Sequence, residues 1–250
     1  MENLLRATAR AEARHFWFHG FRAFVEPLVH QAAGGQPVRI LDCGCGTGAN
    51  VEWLSRFGRS YGFDVTEIAL RLGRAEGRTG LVRASVTAAP FRSGAFDLVT
   101  SFHVLYALDD GQARAALTEM FRLLKPGGRV IINVAALDVL RGDHSVLGHE
   151  LRRYTRRQLR SSLVSAGFTI VRLTYTNAVL FLPLVLSRTF QRWRGLKPEP
   201  DAHRDLAVPA APINALLTGL LLLESAWIRR FNAPFGSSLL CLARKPFEHK

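Results

Sequence analysis

Three glycines, Gly44, Gly46 and Gly48, alternate behind an acid, Asp42, in the stretch ILDCGCGTGAN. Glycine carries no Cβ, so a loop spelled this way lets its backbone come close to a ligand. Where such a loop opens a helix, the first amide N–H groups of that helix stay free to meet a polar or anionic group. Gly44, Gly46 and Ala49, with Asp64 further on, also satisfy the weak G-x-G-x-x-A pattern of a dinucleotide site. The loop alone leaves its ligand open. A second constellation is RGDHSVLGHELRRYTRRQL, which holds Asp143, His144, His149, Arg152, Arg153 and Tyr154. A histidine or tyrosine here can take a proton from a reacting hydroxyl or amine, and a guanidinium can clamp an acidic group. The bland alternatives are His149 as a helix cap or partner of Glu150, and the two arginines as a solvated helix start.

The elements that must position these residues follow from pattern. After an aromatic helical segment over residues 1–33, with Phe16, Trp17, Phe18, Phe21 and Phe24, the chain breaks at Gly34-Gly35. Strand-like runs (VRILDCG, SYGFDV, LVRAS, AFDLVTSFHVL, GRVIINVA) then alternate with helical ones, among them TEIALRLGRAEG, where Thr66 is placed to cap, and the amphipathic DDGQARAALTEMFRLL. Such alternation predicts a parallel sheet with helices on both faces. Later come a helix (TRRQLRSSLVSAG) and two strands (FTIVRLTYT and SSLLCLARK), the strands separated by about sixty residues that contain two apolar segments. Pro183 is expected to interrupt the first, NAVLFLPLVLSRTF, and neither reaches the ~20 residues of a membrane span. A lid, a dimer face and a membrane-lying surface all remain open for them.

The 250 residues carry 33 Lys+Arg against 20 Asp+Glu, a formal +13, which favours anionic surroundings. With only four lysines the excess is arginine, scattered along the chain, and a high-GC codon bias explains it equally well. Cys43, Cys45 and Cys241 are odd in number and lie in apolar runs, a pattern of reduced, packing cysteines in the cytoplasm with no metal site. Residues 1–21 hold no uninterrupted apolar core of signal-peptide type.

The D-x-G-x-G-x-G form from Asp42 to Gly48, Asp64 ending YGFDV, the segment FRSGAFDLVTSFHVLYALDD and the later LLKPGGRVIIN together resemble the class I S-adenosylmethionine-dependent methyltransferases. The resemblance is strong over residues 38–135. It implies an α/β, Rossmann-like doubly wound sheet, mostly parallel with an antiparallel last strand and helices on both faces. It implies S-adenosylmethionine as cofactor, with Asp64 on the ribose hydroxyls and the glycine loop beside the methionine part. The cofactor contacts it implies are Asp42, Gly44, Cys45, Gly46, Gly48, Asp64, Val65, Ser85, Val86, Phe102 and Arg22. Ser85 stands where members often carry an acid for the adenine amine, and His103 stands four residues before the loop position, here Ala107, that often holds histidine. The candidate proton-handling residues are His149, Tyr154 and His103.

An aromatic start with Glu12, His15, Phe16, Trp17 and Phe18, and a tail from Pro234 to Pro246, resemble a bacterial subgroup that methylates small molecules and glycan-lipids. On that resemblance the expected organisation is an N-terminal helical cap (1–35), a core (36–176 and 237–250) and an apolar insert (177–236). The expected partner is a small-molecule acceptor, apolar or lipid-linked, methylated on oxygen or nitrogen. Peripheral membrane contact and a homodimer are open, and the expected location is cytoplasmic or membrane-associated. Two other readings compete. An RNA methyltransferase would explain the charge but lacks an appended RNA-binding module and the Asn/Asp-Pro-Pro-aromatic signature, so nucleic acid is not the expected partner. A non-catalytic cofactor-binding protein conflicts with the intact glycine loop.

Overall fold

The computed structural model describes residues 11–147, 149–196 and 208–247. In chain order its main elements are α1 (Phe16–Ala33), β1 (Val38–Cys43), α2 (Ala49–Leu54), β2 (Gly58–Asp64), α3 (Glu67–Ala75), β3 (Leu81–Arg83) and β4 (Phe96–Phe102). There follow α4 (Asp110–Leu123), β5 (Leu124–Ala135), α5 (Asp143–Leu147), α6 (Arg156–Ser165), β6 (Thr169–Thr176), α7 (Phe181–Trp193), α8 (Ala211–Ile228) and β7 (Ser238–Arg244). The seven strands form one sheet in the order β3-β2-β1-β4-β5-β7-β6, with β7 antiparallel to both neighbours and the other pairings parallel. The central strands read as near-continuous apolar runs because helices cover both faces. The chain walks outward from β1 to β3, then restarts on the other side at β4. A crevice at the strands' carboxyl ends between β1 and β4 is the expected ligand position for such a switch.

Local chemistry accounts for the helices. Asp109 and Gln112 exchange backbone bonds in a capping box that starts α4, whose Ala113, Ala116, Leu117, Met120 and Leu123 then face the sheet. Thr155 and Gln158 start α6 in the same way. Thr66 holds the cap position of α3, but its side chain makes no capping bond, and its amide instead donates to Asp64 Oδ1 at 2.8 Å. Pro183 does not interrupt α7. It sits in the first turn, where a missing N–H costs nothing because the first helical amides have no intrahelical partner.

The N-terminal helix packs between the main core and α8 of the insert. Phe21, Phe24, Val25, Leu28 and Val29 of α1 join the main core. On its other side α1 receives α8 at Gly20, where a Cβ would overlap the side chain of Leu221. Asn214 accepts from the Phe16 amide at 2.9 Å and donates to the Arg14 carbonyl at 2.8 Å, and Ser225 Oγ donates to Ala23 O at 2.7 Å. At 18 residues α8 is, by length and composition, long and apolar enough to cross a membrane, against the expectation that it falls short.

Candidate active site

The glycine loop is held by β2, not by the acid in front of it. Gly44 and Cys45 donate their amides to Phe63 O at 2.8 and 3.0 Å, and Gly46 donates to Asp64 Oδ2 at 2.9 Å. With Thr66 on the other oxygen, Asp64 is clamped in one orientation at the strand's end by two charge-assisted bonds. Gly46 has φ +55°, and a Cβ added there would meet open space, so the loop faces outward at that point. A Cβ on Gly44 would collide with Val104, which brings the loop after β4 directly against the glycine turn.

Asp42 lies beneath, almost fully buried, with its carboxylate bonded to Thr100 Oγ1 at 2.7 Å. Burial, and secondarily the nearby charge of Asp64, pushes its carboxyl from 3.8 up to about 7, partly offset by the Thr100 bond. Asp42 does not brace the loop, since the amides of Gly44 and Cys45 bond to Phe63 and that of Gly46 to Asp64. Cys43 and Cys45 are buried thiols, each pushed up by burial, and both act as packing groups.

The flanks of the loop carry the remaining expected cofactor residues. Val65, beside Asp64, is 65% exposed, an apolar side chain left mostly to solvent. Ser85 shares a 2.8 Å hydroxyl–hydroxyl bond with Thr87 and accepts the Thr87 amide at 3.2 Å, so its side chain braces its own turn. Val86 packs against the core. From α1, Arg22 brings a partly buried guanidinium whose Nε has no partner, and its pKa is lowered by burial. Just before α1, Glu12 Oε2 accepts from Thr47 Oγ1 of the glycine loop at 3.0 Å, and burial raises the Glu12 carboxyl. Glu12 drew attention only as part of a motif, and nothing in the sequence ties position 12 to position 47.

Aromatic rings crowd the carboxyl end of β4. Phe102 packs edge-on against Phe21 at 5.0 Å, and Trp17 stacks on Phe21 at 5.5 Å. His103, at φ +58°, lies 5.0 Å from the Trp17 ring, 5.8 Å from Phe21 and 6.1 Å from Tyr106, while its amide donates to Asn133 O at 3.0 Å. Burial pushes the Tyr106 phenol to about 12. Tyr106 was not singled out from the sequence. Its carbonyl accepts the amides of Leu151 and Arg152, strapping the loop after β5 onto the loop after β4. His15 caps α1 by accepting the Trp17 amide at 3.2 Å.

The three candidate bases are thus placed differently. His103 is in the aromatic cluster. Tyr154 is buried, its hydroxyl donating to Leu105 O at 3.3 Å, and burial raises its pKa. His149 is exposed, at φ +47°, and the helix start it was offered as capping is capped by Thr155. Arg153 is no solvated helix start. Its guanidinium pairs with Glu150 at 2.9 Å, both side chains being nearly inaccessible, and Arg152 pairs with Asp110.

Residues 41–132, from the middle of β1 through the glycine loop to the middle of β5, match the family model described as a methyltransferase domain. Over those residues the chain carries a methyltransferase domain. Two curated relatives are similar to part of this chain. A malonyl-[acyl-carrier protein] O-methyltransferase of Enterobacter lignolyticus is 34% identical over 125 residues, 48% of this chain and 47% of that protein. A demethylmenaquinone methyltransferase of Clavibacter sepedonicus is 37% identical over 100 residues, 38% of this chain and 40% of that protein. The chain therefore spans less than half the length of either. Among solved structures, the 1,6-didemethyltoxoflavin-N1-methyltransferase of Burkholderia thailandensis, with S-adenosylhomocysteine bound, superposes with a TM-score of 0.55 at 18% identity. That match covers 90% of this chain and 78% of that one, and it shows the shared fold.

The residues of this methyltransferase domain fit S-adenosylmethionine. Open space lies in front of Gly46, a carboxylate fixed for diol recognition stands at Asp64, a mostly exposed apolar side chain stands beside it, and the buried Nε of Arg22 lacks an acceptor among the described residues.

Proposed function

We propose that this chain methylates a small, apolar or lipid-linked acceptor on oxygen or nitrogen, with the acceptor lying against the aromatic cluster of Trp17, Phe21, Phe102, His103 and Tyr106. The observation that carries this reading is the contact between Gly44 and Val104, which sets that cluster immediately beside the glycine turn. When bound, S-adenosylmethionine supplies an electrophilic methyl group on a sulfonium. The chain's own work is to hold and to orient. Asp64 accepts the ribose hydroxyls, Val65 and Val86 flank the adenine, and Ser85 offers it a hydroxyl. The amides of Gly44 to Gly48 line the methionine part, and the Arg22 guanidinium takes its carboxylate. The rings exclude water and bring the acceptor into line. Within them His103 is the group placed to accept a proton from the acceptor. Two relatives, named a malonyl-[acyl-carrier protein] O-methyltransferase and a demethylmenaquinone methyltransferase, support a small or carrier-linked acceptor.

Calorimetry with S-adenosylmethionine tests the first half. Wild type binds, whereas Gly46→Val and Asp64→Ala do not, and unchanged binding in both variants would overturn the assignment. Methyl incorporation into candidate apolar acceptors, followed by mass spectrometry, tests the second. His103→Gln is expected to lower turnover by about 10²-fold or more while cofactor binding stays intact.

A further inference from the structure

The insert helices turn apolar stripes to water. On α7 these are Leu182, Leu186, Phe190 and Trp193, the last 82% exposed. On α8 they are Ile213, Leu216, Leu220, Leu223 and Trp227, with Leu223 71% exposed. At 100° per residue each set falls within an arc of about 80°, so each is one stripe rather than scattered side chains. Glu224 of α8 accepts the amides of Ala178 and Val179, which lead into α7, at 2.8 and 3.0 Å, and Phe181 at the start of α7 packs on Phe235 at 5.2 Å. The start of the α7 stripe therefore lies beside the last third of α8.

The exposed charges on these helices and at their ends are of one sign. α7 has no acidic residue, and the single acid of α8, Glu224, is buried at this junction. At the rim stand Arg192, whose guanidinium donates to the carbonyls of Val139 and Arg141 and to the Thr189 hydroxyl, and the exposed Arg229 and Arg230. Among the described residues none of the three has an acidic partner in an ion pair. Two copies meeting through this face would set cationic rims together, whereas a surface of lipid phosphates complements them. Tryptophans at 193 and 227, each near another ring (Phe190 at 6.0 Å, Phe231 at 5.7 Å), suit the headgroup region, where an apolar ring with one N–H is favoured. The opposite side of α8 is fastened to α1 through Gly20, Asn214 and Ser225, which suits a helix lying on a membrane, not crossing it.

We infer that the α7–α8 face docks this protein on an anionic phospholipid membrane, with the two stripes entering the interface and Arg192, Arg229 and Arg230 meeting phosphates. The inference does not depend on methyl transfer, because the face lies outside the proposed cofactor and acceptor residues.

The test is flotation of the full chain with vesicles of phosphatidylcholine alone or mixed with phosphatidylglycerol, at low and high salt. Binding to the mixed vesicles at low salt is expected, falling with salt and with removal of the anionic lipid. Arg229→Gln with Arg230→Gln should weaken binding roughly 25-fold, about fivefold for each cation lost near the surface. Leu186→Gln with Leu223→Gln should abolish it while cofactor calorimetry stays unchanged, since both side chains are exposed. Quenching of wild-type tryptophan fluorescence by brominated lipid provides a readout free of variants. No flotation and no quenching would overturn the inference, as would vesicle binding that resists an alkaline carbonate wash, the mark of a spanning helix. A concentration-dependent dimer without vesicle binding would assign the face to a second copy instead.

Discussion

Asp42→Asn isolates the cost of burying a carboxylate under the glycine loop. The asparagine is isosteric and keeps an oxygen for Thr100 Oγ1, now at 2.7 Å from Asp42, while removing the ionisation. In the folded protein burial raises the carboxyl from 3.8 to about 7. A group whose folded pKa is raised holds its proton more tightly when folded. Its stabilising contribution is complete below about pH 4 and is lost as pH rises through about 7. Each unit is worth about 1.4 kcal/mol, so between about pH 4.5 and about pH 7.5 the wild type should lose on the order of 3 kcal/mol that the variant keeps. That is a large part of the ~5–15 kcal/mol of a typical domain. Urea unfolding of both proteins at the two pH values measures it, with the advantage of Asp42→Asn over wild type widening by roughly that amount. Subtracting one protein from the other cancels the titration of every other group they share. An advantage that is the same at both pH values would refute the reasoning and show that water or relaxation reaches the carboxylate.

Two further outcomes follow from packing and hydrogen bonding. Gly20→Val places a Cβ into Leu221 and should cost about 1–3 kcal/mol, seen as a lower urea midpoint with an unchanged slope, because α1 and α8 must move apart. Tyr154→Phe removes the bond to Leu105 O and should cost about 1 kcal/mol of stability while acceptor turnover stays within a few-fold; a hundredfold drop in turnover would reinstate Tyr154 as the base.

Much of the sheet was legible in the sequence because the central strands contain short apolar runs and many of the breaks carry glycine, proline or a cap. The Asp109–Gln112 and Thr155–Gln158 boxes show this, since donor and acceptor lie three residues apart. Pro183 was misjudged because its effect depends on its place in the helix, and only the observed start at Phe181 makes it harmless. The candidate site was legible to the same limited degree. The glycine spacing and an acid at the end of β2 announce a nucleotide-type loop, since bare backbone and a strand-end carboxylate are local features.

What the sequence alone determined is therefore the nature of the loop, the alternation that builds the doubly wound sheet, and the residue types available near it. Tertiary structure decided which of them meet. It placed His103, not Tyr154 or the exposed His149, among the rings of α1, and it bonded Glu12 to Thr47 across thirty-five residues. It also assigned Arg153 to Glu150 rather than to an acceptor. The physical reason is that a side chain's role follows from its burial and its partners, and both are set by segments distant in sequence. The same holds for α7 and α8: their apolar composition was plain from the sequence, but only their tertiary packing, for α8 against α1 at Gly20, showed which face was left to water.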